Sequence, residues 1–325
     1  MNAPEPQPRR RATAKAMVAP ADRLERPISV ARGPLLWRYV ISLSLMHALA
    51  LLVVLPWLFS WTSVVLFAAG VLFFGQGINL GYHRLLAHNS LAVPKWLERA
   101  FVLLALCTMQ DTPVKWVTSH RHHHKFSDVQ ADSHSPLAGF LWSHMGWLFY
   151  PNSATRGVMA YKTYAHDLID DPFYRRLERD WRLPVAIYLA HALLIYAAGV
   201  AAGWIGSGTL SGGVQLGLSF LVWGVVLRTV VVWHITWSIN SLTHVFGYRS
   251  YETRENSRNN WVLGFLASGE GWHNNHHHDS ASASNQHRWW EIDLTYYHIL
   301  LLERLGLATN VIRPRAERHA ARGKA

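Results

Sequence analysis

Residues 39–59 read YVISLSLMHALALLVVLPWLF, and these 21 positions hold no Asp, Glu, Lys or Arg. A helix needs about 20 mostly apolar residues to cross the hydrocarbon layer of a bilayer. This stretch therefore predicts a membrane span, and three more follow at 61–82, 183–206 and 214–237. The last is interrupted only by Arg228 and His234. Two further apolar runs, 100–109 and 137–150, are too short to cross and predict buried or interfacial helices. Half of the 325 residues are hydrophobic and only 16% are charged. Bunched in this way, they favour one membrane-embedded unit over two soluble domains.

The cations orient the chain. Of 31 Lys and Arg, 8 lie in residues 1–38, 12 in 81–182 and 10 from Arg249 onward. Arg228 lies inside the fourth span, and the turns near Ser60 and at 207–213 have none. Cytoplasmic segments carry the excess of Lys and Arg, so both termini and the long middle segment are expected in the cytoplasm. The net charge of +11 is then mainly a topology signal that also suits an anionic membrane face. No nucleic-acid recognition module is present, so nucleic acid is not an expected partner. A lone cysteine, Cys107, excludes an internal disulfide framework. The first 30 residues lack the apolar core of a signal peptide. The expected fold is all-α: four transmembrane helices and a cytoplasmic helical cap built from 83–182 and 238–312. That unit occupies 35–312, between flexible basic tails at 1–34 and 313–325.

Two stretches stand out against this frame, HRHHHKFSD at 120–128 and EGWHNNHHHDS at 270–280. Dense histidine tracts can be solvated or scavenge metal weakly, but geometry offers more here. At about 100° per residue, His120, His123 and His124 fall within one arc of a helix, and His122 points away. His273, His276 and His277 repeat the same three directions, and His278 is the outlier. HRLLAH places His83 and His88 directly after the second span. Five apart on a straight helix they diverge by about 140°, too far for a tight pair on one ion. They would serve two neighbouring ions or follow a helix end. Asn240 and His244 sit four apart at the end of the last span. All four pieces emerge on one side of the membrane. Nine histidines exceed the roughly four to six ligands of a single ion, so two metals are expected.

Taken together, HRLLAH, HRHHHKFSD, NSLTHVFG (240–247) and GEGWHNNHH (269–277) resemble the histidine boxes of membrane fatty acyl desaturases of the stearoyl-CoA delta-9 type, in their bacterial branch. SHMGW (143–147) and RWWEID (288–293) agree as well. The resemblance runs from about residue 36 to 312. It implies a mushroom-shaped protein in the bacterial cytoplasmic membrane, with two iron ions on His83, His88, His120, His123, His124, His244, His273, His276 and His277. It also implies a metal-bound water held by Asn240, and an acyl channel lined by Trp116. The implied reaction puts a cis double bond, delta-9 in the type enzymes, into a saturated acyl chain with O2 as co-substrate.

Removing hydrogen from two unactivated methylenes needs an oxidant stronger than any side chain, and iron with dioxygen supplies one. Imidazole suits iron and zinc alike, but zinc has no redox chemistry. Each ligand ring needs an acceptor at its second nitrogen, and Asp128, Asp132 and Glu270 are the nearest candidates. His47, His191 and His234, within spans, are expected to be hydrogen-bonded structural residues, with His234 also a candidate for the outer shell of the site. His134, His144, His166, His287, His298 and His319 are expected not to ligate. Arg228 matches a family arginine and reads as a structural anchor.

The type enzymes hold the CoA head group with polar runs that are absent here: QDTPVKW (110–116) is shorter, and Tyr150–Ser153 lacks their basic pair. The substrate is thus a fatty acyl thioester or an acyl-lipid from the membrane. Electrons must come from a separate donor of ferredoxin, rubredoxin or cytochrome b5 type with its reductase. A di-iron hydroxylase on the same scaffold is the alternative enzyme, although its alkane-oxidising members carry a different third box. A metal transporter or sensor is the non-enzymatic alternative, and would want ligands in mid-membrane. Finally, Val71 and Phe67 lie roughly 18 and 24 Å back along the second span from His83. Four apart, they share a face at the depth an acyl tail would reach, and are expected to close the channel.

Overall fold

A computed structural model of the chain describes residues 23–30, 33 and 35–322. Most of the tail expected at 1–34 lies outside these. The described part at 23–30 is pinned: Leu24 donates its N–H to the Leu137 carbonyl at 3.0 Å, and the Arg26 guanidinium lies 4.6 Å over the Trp142 ring. Among the described residues there are helices and four isolated β-bridges but no strand.

Four helical stretches are long and apolar enough to cross a membrane. The first spans Trp37–Val54, built from α1 (Trp37–Ala50) and a tighter turn. It stops short of the expected residue 59 because Pro56 cannot continue a helix and drives Leu55 into an extended conformation. The second runs Trp61–Ala87. Its α2 (Trp61–Gln76) starts at Ser60, whose hydroxyl accepts the Ser63 N–H, and it widens into a π-helix over Gly77–Ala87. The third is α9 (Arg182–Ser207), closed by Gly208 at φ 68°.

The fourth runs Leu210–His244, well beyond the expected 214–237. Thr209 caps its start, α10 (Leu210–Phe220), and a π segment leads into α11 (Arg228–Ser241). Counting apolar residues ends it at Trp237, yet the polar residues beyond it are buried in the cap: Ser241 is fully covered and Ser238 nearly so.

Small residues set the closest helix approach. A Cβ on Gly203 would lie 2.5 Å from the Gly212 carbonyl oxygen, and one on Gly199 would lie 2.8 Å from the Gly217 Cα. Spans three and four thus pack backbone to backbone, as membrane helices do through small residues. Arg228 is fully buried within this bundle. It donates to the Cys107 carbonyl and shares a 2.7 Å bond with His191 Nε2, and its plane covers Phe74 at 4.1 Å. With its donors used this way, the cost of burying a cation in the membrane is offset. It is a structural anchor, as the sequence suggests.

The cap holds the remaining helices: α3 (Lys95–Leu106), α4 (Pro113–Phe126), α5 (Phe140–His144), α6 (Val158–Tyr164), α7 (His166–Ile169) and α8 (Pro172–Arg179) before the third span. After the fourth come α12 (Trp261–Leu266), α13 (His273–His278), α14 (Leu294–Arg304) and α15 (Arg315–Arg322). The basic segment after Arg313 is expected to be a flexible tail, but here it forms α15. Asp279 accepts the Arg315 N–H at 2.7 Å and pairs with Arg318 at 2.5 Å, which fixes the helix against α13.

Candidate metal centre

The π-turn after α2 brings His83 and His88 together. In a π-helix the bond runs from residue i+5 back to i. Here the His88 N–H donates to the His83 carbonyl at 3.1 Å, which places the rings 4.8 Å apart. The divergence expected on a straight helix is thereby corrected, because the wider turn stacks residues five apart.

On α4, Thr112 caps and Pro113 opens the helix, which sets His120, His123 and His124 facing inward. The second dense stretch is also helical despite its glycines and asparagines. The Asn259 carboxamide oxygen accepts the N–H groups of Asn274 and Asn275 at 3.0 and 3.1 Å, satisfying the start of α13. Asn275 in turn donates to Glu291 at 2.8 Å.

Two groups of imidazoles result. His83, His88, His120, His124 and His276 form one; His123, His244, His273 and His277 form the other. Within each group one nitrogen per ring lies within 4.8 Å of all the others. All nine histidines singled out in the sequence are in these two groups. His122 instead packs on Phe126 at 4.8 Å, and His278 stacks on Tyr251 at 3.8 Å. Facing Nε2 atoms are 3.1 Å apart for His83 and His276, 3.0 Å for His124 and His276, and 3.1 Å for His244 and His273. Nitrogens about 2.1 Å from one ion and at right angles would sit about 3.0 Å apart. Hydrogen bonding alone does not account for five such atoms converging, since each neutral ring has a single N–H. The donor set therefore fits metal ions.

The outward nitrogens meet carboxylates. Glu270 accepts from His83 Nδ1 at 2.7 Å, Asp132 from His123 Nδ1 at 3.1 Å, and Asp128 from His244 Nδ1 at 2.8 Å. Burial acts to raise these carboxyl pKa values, but opposing charges and hydrogen bonds prevail. Arg84 and His83 hold Glu270 at about 2, and His244, Ser135 and the Asn256 N–H hold Asp128 at about 2. His123 takes Asp132 below the usual range. An ionised acceptor fixes the N–H on Nδ1 and leaves the Nε2 lone pair facing inward. Burial first, and neighbouring imidazoles next, push His88, His120, His124, His273, His276 and His277 well below their ordinary pKa. These rings are neutral near pH 7, as metal binding requires.

Other supports are not singled out by sequence reasoning. Arg84, 1% exposed, binds Glu270 at 2.8 Å and Asp293 at 2.9 Å; its signal was adjacency to His83, and that of Asp293 was the RWWEID motif. Glu255 lies 3.7 Å from His277 Nδ1 and 4.0 Å from His244 Nδ1, with no local pattern to announce it. His134 lies beside His123, their rings 4.4 Å apart.

Two cavities adjoin the histidines. One is lined from Tyr39 and Ser42 on α1, past Gln110 and Trp116, to His120 and Asn240. The other lies among Trp116, Thr236, Asn240, His83 and His273. Trp116 stacks on His120 with ring centres 5.0 Å apart, and Gln110 donates to Thr236 at 3.1 Å. Phe67 and Val71 line neither cavity; Phe67 packs edge-on against Trp223 at 6.3 Å.

His47 and His234 share a 3.0 Å Nε2–Nε2 bond, and His234 Nδ1 meets His144 Nε2 at 2.9 Å. His191 is bonded to the Tyr188 carbonyl and Arg228.

The fatty acid desaturase family matches residues 57–300. The chain belongs to this family. It is 42% identical over 85% of its length, and 90% of the relative's, to the sn-2 palmitoyl-lipid 9-desaturase of Nostoc sp.. It is 40% identical to the sn-1 stearoyl-lipid 9-desaturase of Synechocystis sp., over 86% of this chain and 80% of the relative. An acyl-CoA 5-desaturase of Anemone leveillei is 41% identical over 84% of this chain and 78% of its own. The protein is a fatty acyl desaturase, a membrane oxidoreductase of lipid metabolism.

Proposed function

We propose that this desaturase inserts a cis double bond at the delta-9 position of a membrane acyl-lipid, using O2 and two iron ions held by the nine histidines. The observation that carries this reading is the convergence of nine imidazole nitrogens in groups of five and four. Iron there would supply the oxidising power that no side chain has. The chain's own residues do the rest. Glu270, Asp132 and Asp128 orient the rings, and the neutral histidines present lone pairs. Asn240, facing both cavities, holds water beside the site. Trp116, Gln110 and Thr236 shape the passage and exclude bulk water.

The mouth of the first cavity supports a lipid over CoA as carrier. Its cations are already matched: Arg156 faces Asp111 at 3.9 Å and Lys115 faces Glu178 at 3.4 Å. Tyr39 also donates to Asp111 at 2.6 Å. Paired cations offer little to a polyanionic CoA. Tyr39 and Ser42, near the start of the first membrane-length helix, line the same cavity, and a glycerolipid would enter there sideways. Electrons come from a separate carrier, and the cap with both termini faces the cytoplasm of a bacterial cell. Expression in a host lacking this activity, with double bonds located by mass spectrometry, tests the reading. Delta-9 products on glycerolipids are expected. Products confined to the acyl-CoA pool, or bonds elsewhere, contradict it.

A further inference from the structure

Four residues lining the first cavity carry a buried polar atom with no hydrogen-bond partner among the described residues: Ser119 Oγ, His134 Nδ1, Trp147 Nε1 and Arg156 Nη1. Buried polar groups are normally bonded, so four around one cavity point to a polar ligand atom there. Three belong to the metal end. Ser119 directly precedes His120, His134 lies beside His123 with the rings 4.4 Å apart, and Trp147 is 5.0 Å from His134. Arg156 stands at the mouth, in the loop before α6.

Resting on the acyl-lipid reading above, we propose that Arg156 Nη1 donates to the carbonyl oxygen of the bound acyl ester and so fixes the carbon at which the double bond forms. The guanidinium is held for this. It lies 4.6 Å over the Tyr39 ring, and its Nη2 faces Asp111 at 3.9 Å, while Tyr39 donates to the same acid at 2.6 Å. Met109 and Asp111 take left-handed backbone, φ 54° and 65°, which residues other than glycine rarely adopt. That bend carries Asp111 to both partners. Nη1 is left over.

A guanidinium N–H can only donate, so the missing partner is an acceptor. Asp111 already balances the charge at this spot. A phosphate or free carboxylate would set a second anion beside that half-buried acid, which like-charge repulsion disfavours. A carbonyl oxygen accepts without adding charge. Lys115, the other cation of the mouth, is engaged with Glu178. Acyl esters and acyl thioesters both present such an oxygen.

The separation from the histidines also suits. Tyr82 donates to the Asp111 carbonyl at 3.3 Å, its ring lies 5.8 Å from Trp116, and Trp116 stacks on His120 at 5.0 Å. Two ring-to-ring steps thus divide the mouth from the first histidine group. At about 1.5 Å per carbon–carbon bond, the eight bonds from a carbonyl carbon to C9 reach on the order of 10 Å. A donor fixed at this remove holds the reacting carbons in place. Without it the chain slides, because identical methylenes give the walls no register to read.

The test expresses the full-length protein and its variants in a host lacking the activity, measures iron in each purified protein, and locates double bonds in glycerolipids and in acyl-CoA by mass spectrometry. Arg156→Met, which removes the donor from a long side chain, should cut product about tenfold or more and spread the double bond over neighbouring carbons, at unchanged iron content. Arg156→Gln, whose amide donates at shorter reach, should show a smaller spread, and carries the test if the first variant fails to fold. Arg156→Lys, which restores a cationic donor, should return the bond to its wild-type position. Bond positions as sharp as wild type in both Arg156→Met and Arg156→Gln, at any yield, overturn the proposal. Wild-type products found only in acyl-CoA sink the acyl-lipid reading instead, and the same spread in the variants then identifies the held oxygen as a thioester carbonyl.

Discussion

The His88 N–H reaches back five residues to the His83 carbonyl at 3.1 Å, and this wide turn sets the two imidazoles 4.8 Å apart. On an α-helix the same pair would face different directions, and the group of five would lose a member. His88→Ala should therefore cut bound metal from about two ions to about one, since His123, His244, His273 and His277 form a separate group. Metal analysis of the purified variant checks this. Two ions retained at wild-type affinity would remove His88 from the site.

His122 and His278 are the controls in the same dense stretches. Their rings pack on Phe126 and Tyr251, so His122→Ala and His278→Ala should keep both metals and substantial activity. His122→Ala should also lower stability by roughly 1–3 kcal/mol through lost packing. Damage to metal content as severe as that from His123→Ala would contradict the geometry.

The carboxylates behind the rings have a graded effect. Glu270→Gln and Asp132→Asn should each weaken metal affinity by about 10–100-fold, measured by competition with a chelator. Glu270→Gln should be the more damaging, because Glu270 also binds the buried Arg84. Unchanged affinity in both would reduce these residues to ordinary buried acids.

Acid should unfold the protein for an identifiable reason. Burial holds His122 at about 4 and His134 at about 3, against an ordinary 6.5. Such groups take up protons on unfolding, so their contribution to stability is complete above about pH 6.5 and shrinks as pH falls toward 4. The melting temperature should drop between pH 7 and pH 5. A flat profile would contradict the burial of these rings.

Orientation is tested at the turn between spans three and four. A cysteine at Ser207, in a chain whose Cys107 is replaced by Ser, should react with an impermeant thiol reagent added from outside. Reaction only from the cytoplasmic side would invert the topology.

The four membrane-length helices were legible because they rest on the length of apolar runs, which needs no tertiary information. The inward faces of α4 and α13 were legible because helical periodicity fixes direction. The boundaries were less so. Pro56 cut the first span, and the fourth continued through Ser238 and Ser241 because these polar residues enter the cap rather than lipid. The π-turn at His83 left no mark in the residue pattern, nor did the contact that brings Glu255 to His277 from a distant loop. The channel end proposed at Phe67 and Val71 stands on helical depth alone. Phe67→Ala should shift products toward longer chains at a fixed bond position, and lost activity with unchanged chain preference would return Phe67 to packing against Trp223.

Metal stoichiometry of the wild-type protein, purified from iron-supplemented cells and measured by mass spectrometry against quantitative amino-acid analysis, tests the central claim most directly. Two groups of histidines predict about two iron ions per chain, both lost when His123 and His276 are replaced together by Ala. A fully loaded protein that holds one ion, or two that survive this double replacement, would contradict the account.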